Sequence, residues 1–242
     1  MRSPLTPDGS PVELFARLPA GSTPGLIHGA IPPGASILEL GAGAGRITRP
    51  LVELGHEVVA VDESSAMLAY IKGPETVESR IEDLAMGRRF DVVLLMSHLI
   101  ETPDLDQSRA FLKTCRAHVT DHGQVIIQRD PPDRDYTAEP PFKRVVADGC
   151  TISMRDLKQI SSDVLTFTLD YQIDDSAWSQ SVVTRRVDDD VLKHELALAG
   201  LELDGFLVPN RSWVVARRRG ERRVTAGNKI GGVSIHGSPR ST

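Results

Sequence analysis

Cysteine and aromatic residues are scarce in this chain of 242 residues, which has two cysteines, two tryptophans, three tyrosines and six phenylalanines. Cys115 and Cys150 fall in different expected elements and make no metal-ligand spacing. No metal is therefore expected, and reduced thiols in a cytoplasmic protein are the default reading. No apolar run approaches the ~20 residues needed to span a bilayer. The opening Met1-Arg2-Ser3-Pro4 lacks the apolar stretch of a secretory signal. An excess of positive charge is also missing: 28 basic against 33 acidic residues leave a net charge of −5. That balance offers no reason to expect nucleic acid or an anionic membrane as a partner. What is present, 40% apolar and 25% charged residues, is ordinary globular composition at a length ample for a sizeable core.

The pattern along the chain predicts an α/β fold with a doubly wound, mostly parallel seven-stranded sheet. Residues 1–34, rich in Pro, Gly and Ser, read as an arm with one helical patch near Val12 to Leu18. Strands are expected at Ser36–Leu40, Val58–Val61, Thr76–Ser79, Phe90–Met96 and Gln124–Gln128. Helices are expected between them, over Ile47–Leu54, from Ser64 or Ser65 through Lys72, and over Leu105–Val119. This alternation argues for right-handed crossovers. After Asp130-Pro131-Pro132 the period changes. Cys150–Leu157, Val164–Ile173 and Trp178–Val187 alternate and are rich in β-branched residues, which predicts an inserted antiparallel meander over about 150–187. A helix over Asp188–Ala199 and strands over Leu201–Phe206 and Ser212–Arg217 complete a domain spanning 35–217. From Arg218 the chain is basic and then Gly/Ser-rich, the composition of a disordered tail.

The chemistry-bearing stretch is Glu39-Leu40-Gly41-Ala42-Gly43-Ala44-Gly45. It leaves an expected strand and enters an expected helix, where glycines let a ligand approach the main chain and helix-start amides receive a negative group. Asp62 ends the next strand, where a carboxylate accepts hydrogen bonds from ribose hydroxyls. The spacing separates two ligands. A dinucleotide loop needs a third glycine where this chain has Arg46. Glu39 places negative charge near the loop, which is awkward for a pyrophosphate but suits an ammonium. S-adenosylmethionine carries the matching parts: adenosine, a sulfonium and a zwitterionic amino-acid tail.

With these residues, Ile37 to Gln128 resembles the class I S-adenosylmethionine-dependent methyltransferases, with weaker agreement to Arg217. Ile37-Leu38-Glu39-Leu40-Gly41-Ala42-Gly43-Ala44-Gly45-Arg46 is similar to the family's first motif, and Val59-Ala60-Val61-Asp62-Glu63-Ser64 to its ribose-binding strand end. The resemblance implies that Glu39, Gly41, Ala42 and Gly43 meet the methionine part and Asp62 the ribose. It places Glu63 beside the adenine, followed by the helix containing Met67. The segment Arg80-Ile81-Glu82-Asp83 departs from the commonest form, which has Asp where this chain has Arg80. The adenine contact then falls to Ile81, with Glu82 or Asp83. Met96-Ser97-His98 ends the fourth strand, which in the family faces the transferable methyl group.

His98 is the first candidate for a general base or for positioning the acceptor, because an imidazole titrates near neutral pH. Arg129, Asp130 and Tyr136 are second-rank candidates for the acceptor site. His28 is a candidate lid residue, with a surface histidine as its alternative. Phe167, Tyr171 and Trp178 are candidate pocket walls, with strand-face packing as theirs. Cys115 is expected to pack inside a helix, and the run Arg217-Arg218-Arg219 with Arg222 and Arg223 to be solvated. The implied function is methyl transfer from S-adenosylmethionine to a nitrogen, oxygen or nucleophilic carbon of a small molecule, yielding S-adenosylhomocysteine. The alternatives are a cyclase that uses the sulfonium charge without transfer, an RNA or protein methyltransferase, and a nicotinamide dehydrogenase. Nucleic acid and membrane are not expected partners, and a homodimer is compatible with the sequence.

Overall fold

The computed structural model describes residues 5–6, 9–134, 143–147 and 149–220. Tyr136, Arg222, Arg223 and the expected tail beyond 220 lie outside them. Seven strands form the main sheet: β1 Ser36–Leu40, β2 Glu57–Asp62, β3 Glu75–Glu78, β4 Phe90–Leu95, β5 Val119–Gln128, β10 Leu201–Phe206 and β11 Trp213–Arg218. Their order is β10-β11-β5-β4-β1-β2-β3. β1 pairs in parallel with both β2 and β4, while β11 runs antiparallel between β10 and β5. The strand order therefore reverses between β1 and β4, and the carboxyl ends of these two strands flank the crevice where open α/β sheets bind ligands. β4 reads Phe-Asp-Val-Val-Leu-Leu, and only Asp91 at its start is exposed. Such a run is stable only with both faces covered.

The helices provide that cover. α5 Leu105–His118 is capped by Asp104, whose carboxylate accepts from the amides of Asp106 and Gln107. α6 Asp189–Leu198 is capped in the same way by Asp188. Leu112, Leu192 and Leu196 from these helices pack with Val93, Leu95 and Ile127 on one face of the sheet. Ile27 and Leu51 pack with Ile37, Val92 and Ile126 on the other. Ile27 belongs to α2 Thr23–His28, a helix of the arm that the Pro/Gly-rich sequence conceals; α1 Val12–Arg17 coincides with the expected patch. α3 Thr48–Glu53 lies within its expected bounds. α4 Ser65–Leu68 is shorter than the sequence suggests, because the chain leaves the helix at Ala69 and Gly73 takes a left-handed conformation.

The insertion holds four strands: β6 Lys143–Ala147, β7 Cys150–Gln159, β8 Val164–Ile173 and β9 Ser176–Arg185, in consecutive antiparallel order. β6 escapes the sequence pattern because its residues are exposed or half-buried and do not alternate. The arm joins this sheet to the main domain. Leu14 is fully buried against Cys150, Tyr171 and Ile173, while Val12 packs with Ala44 and Met67 beside the glycine loop. Arg17 adds a hydrogen bond to Ser176 at 2.8 Å and stacks over Trp178. Among the described residues, no helix is long and apolar enough to cross a membrane.

Candidate active site

The glycine loop turns sharply as it leaves β1. Gly41, Gly43 and Gly45 all have positive φ, at 70°, 57° and 78°, a region closed to most side chains. Two of these positions differ in a useful way. A Cβ on Gly45 would lie 2.7 Å from Ile71 Cγ1, so that glycine serves packing. A Cβ on Gly43 would meet nothing within 4 Å, so the tip of the loop borders open space. The Gly43 amide donates to Asp62 Oδ2 at 2.8 Å, and the Ser64 amide to Asp62 Oδ1 at 2.9 Å. Asp62 is thus drawn to the loop from the end of β2 and is half-buried at its rim.

Glu39 sits under the loop and is buried, accepting a hydrogen bond from Thr48 Oγ1 at 2.6 Å. Burial pushes its carboxyl up to about 7, against the opposing effects of the Thr48 hydroxyl and the Arg46 charge. Arg46 bridges this acid to the insertion: it also feels Tyr171, whose phenol burial pushes up to about 12. The remaining residues expected around the cofactor gather at the same end of the sheet. Ala42, Met67, Ile81 and Met96 are buried, and Glu63 is exposed. Glu82 is ion-paired with Arg80, the residue standing where the family pattern has an acid. An open loop tip, a half-buried carboxylate at its rim and a buried acid beneath it fit a nucleoside with an ammonium-bearing tail.

Beyond β4 the backbone is strained. Ser97 and His98 are successive non-glycine residues with φ of 54° and 61°. Such conformations cost free energy and persist only where neighbours hold them. Here the Ser97 amide donates to Gln128 Oε1 at 3.0 Å. The His98 Nδ1 lies 2.7 Å from Glu101 Oε2, and Glu101 Oε1 accepts the Asp130 amide at 3.0 Å. Asp130 in turn pairs with Arg134 at 3.1 Å. The His98 side chain is 42% exposed; partial desolvation would lower its imidazole, but the Glu101 hydrogen bond and the charges of Glu101 and Asp130 outweigh it and raise the group above its usual range. Burial likewise raises Glu101, opposed by His98. With Nδ1–H held by this carboxylate, Nε2 is the nitrogen left to accept a proton. Glu101 escaped sequence reasoning, although its place three residues after His98 is a signal that was available.

Other candidates fall elsewhere. Arg129 is fully buried and donates to the carbonyls of Val187 and Arg211 and to Asp189; it fastens β5 to α6 and so is a clamp, not an acceptor ligand. His28 hydrogen-bonds His56 at 2.9 Å at the amino ends of the strands, so it is neither a lid nor a free surface histidine. Tyr171 is buried among arm and insertion side chains; Phe167 and Trp178 are partly exposed on the inserted sheet. Cys115 is buried in α5, and Arg217 and Arg218 hydrogen-bond carbonyls of the chain, Arg217 also pairing with Asp204.

Comparison with known proteins accounts for this layout. Residues 37–123 match the family model of a methyltransferase domain. Ubiquinone biosynthesis O-methyltransferases of Bradyrhizobium sp. (strain ORS 278) and Nitrobacter winogradskyi are each 32% identical to it, over 102 and 92 residues. Those alignments cover 39% and 33% of this chain and 39% and 35% of the relatives. The chain thus spans under two fifths of the length of the curated relatives it matches. Among solved structures, the sugar N-methyltransferase KedS8 from Streptoalloteichus superposes with a TM-score of 0.68 at 22% identity, covering 86% of this chain and 92% of that one. CalS10, an amino pentose methyltransferase from Micromonospora echinaspora solved with S-adenosylmethionine bound, gives 0.68 at 17%, covering 85% and 94%. These likenesses of fold cover more of the chain than residues 37–123.

Proposed function

We propose that this protein transfers the methyl group of S-adenosylmethionine to a nitrogen, oxygen or nucleophilic carbon of a small molecule, with residues 35–217 as the catalytic domain. The arm of residues 1–34 and the insertion at about 150–187 wall the site. The observation that carries the reading is the pairing of two features at the switch of strand order: the open-tipped glycine loop with Asp62, and the His98–Glu101 pair at the end of the adjacent strand. The family match and the small-molecule methyltransferases among the structural neighbours support it, as does the charge balance against nucleic acid. A cytoplasmic location belongs to the same reading.

In this reading Asp62 accepts hydrogen bonds from the ribose, Ile81 packs on the adenine with Glu82 nearby, and Glu63 flanks it. Gly41, Ala42 and Gly43 border the methionine part, and Glu39 beneath them supplies the counter-charge for its ammonium. Met67, Met96 and Ser97 complete the wall. The cofactor supplies a sulfonium carbon that a nucleophile attacks in line, with a neutral thioether as leaving group. The protein therefore aligns the acceptor. His98 Nε2 accepts the proton that the acceptor hydroxyl or ammonium gives up, while Glu101 holds the ring and balances the imidazolium that forms. The test is incubation with S-adenosylmethionine and a panel of small amines and phenols, read by mass. Gain of one methylene per acceptor, with S-adenosylhomocysteine formed in equal amount, is the expected result. Consumption of the panel without that gain would reject transfer.

A further inference from the structure

Arg185 is the last residue of β9, where the alternating exposure of that strand gives way to two buried residues, Thr184 and Arg185. Its side chain is 7% exposed, and its Nε and Nη2 have no hydrogen-bond partner among the described residues. A guanidinium stays charged inside a protein, and a buried charge without a partner is costly. The same edge, Nε with Nη2, is the one Arg109 uses to grip Glu195 with two bonds of 2.8 and 3.2 Å. That grip occupies both oxygens of Glu195, an acid that also feels the charge of Arg185.

Arg185 lines a cavity of about 250 Å³ together with Glu101, Asp130, Asp163, Thr184 and Asp188. Every carboxylate in that wall already has a donor. Glu101 holds His98, and Asp130 holds Arg134. Asp163 accepts from the Ser161 hydroxyl, and Asp188 accepts two amides of α6. Arg185 is the buried charge of the wall whose Nε and Nη2 have no hydrogen-bonded acceptor among the described residues. The cavity also adjoins the proposed acceptor side, because Glu101 belongs to both and Thr184 reaches the Glu101 carbonyl at 3.5 Å.

We propose that this cavity is an anion subsite in which Arg185 grips a carboxylate or phosphate carried by the methyl acceptor. Both donors are buried and Arg185 lines the cavity, so a rotation of the guanidinium toward it would present them as a bidentate fork, the geometry arginine offers to both groups. The proposal rests on the reading of the β4 and β5 ends as the acceptor side. It narrows the substrate class to acidic small molecules, oriented by their anion with the nucleophile toward His98.

The test uses the full chain and the variants Arg185→Gln and Arg185→Lys, with benzoate, benzamide and inorganic phosphate as probes at constant ionic strength set by chloride. The wild type should be stabilised against melting, saturably, by benzoate and not by benzamide. Arg185→Gln should lose that response and Arg185→Lys keep part of it. In turnover, acidic acceptors should outperform their amides. Arg185→Gln should raise KM for the acids roughly ten- to a hundredfold, with far less change for the amides. Equal responses to benzoate and benzamide in the wild type overturn the proposal without relying on any variant. Saturable stabilisation by phosphate with none by benzoate marks a free-anion site and overturns the acceptor assignment. If no acceptor is methylated at all, the proposed activity fails while the melting comparison still decides this subsite.

Discussion

His98 and Glu101 stand 2.7 Å apart across a turn in which His98 has the left-handed backbone of a strained residue and Glu101 is buried. The strain turns the ring back onto the carboxylate, so that one nitrogen is held and the other is left for chemistry. His98→Ala should lower kcat about 10²- to 10⁴-fold, the usual contribution of a positioned base. S-adenosylhomocysteine affinity should change little. Turnover near wild type with the best acceptor would remove His98 from the catalytic role.

Glu101→Gln tests the pair by its pH profile. The carboxylate raises the imidazole above its ordinary range, and the base works only when neutral. The acid limb of kcat against pH should therefore lie above about 6.5 in the wild type. In Glu101→Gln it should move to lower pH, with a rate loss of up to about 100-fold from misplacement of the ring. A loss of rate with an unmoved limb would mean that Glu101 only braces the turn.

Glu39 makes a proton-linked prediction. Its carboxyl is raised by burial from 4.5 to about 7, so between these values the folded chain holds a proton that the unfolded chain has released. Stability should accordingly fall as pH rises across that window, by ~3 kcal/mol at about 1.4 kcal/mol per pH unit. Glu39→Gln should flatten the fall. If the buried acid meets the cofactor's ammonium, binding S-adenosylhomocysteine at pH 6 expels the proton. Calorimetry in buffers of different ionisation enthalpy should detect its release, and affinity should climb toward pH 7. Binding without proton release would place the ammonium elsewhere.

Asp62→Ala should weaken S-adenosylhomocysteine binding by ~1.5–3 kcal/mol, or roughly one to two decades. It loses the ribose contacts and also the Gly43 amide that the carboxylate now holds. Unchanged affinity by calorimetry would count against the assignment.

The loop glycines should separate stability from binding. Gly45→Ala pushes a methyl against Ile71 and should lower the melting temperature more than Gly43→Ala, which meets no atom within 4 Å. Gly43→Ala carries the cost of a left-handed alanine, ~1–2 kcal/mol. It should lose cofactor affinity beyond that cost, because its methyl enters the space above the loop.

Much of this was legible in the chain itself. The apolar run Val92 to Met96 in and after β4 points to a strand covered on both faces, and the glycine spacing with Asp62 at the end of β2 marked the loop. The misses have physical causes. β6 is exposed and carries no alternation, and α2 hides in Pro- and Gly-rich sequence because tertiary burial of Ile27, not helix propensity, stabilises it. Arg129 read as a polar loop residue because nothing local reveals that distant carbonyls of Val187 and Arg211 satisfy it.

The sequence alone determined the alternation of strands and helices from β1 to β5, the turn at Gly41 to Gly45 and the family resemblance, because each depends on residues near one another along the chain. Tertiary structure alone decided that Asp130 supports the His98–Glu101 pair and that Arg185 reaches the same wall with Nε and Nη2 unbonded among the described residues. Burial and pairing of charge depend on which distant segments meet, and Arg185 lies 84 positions after Glu101 in the chain.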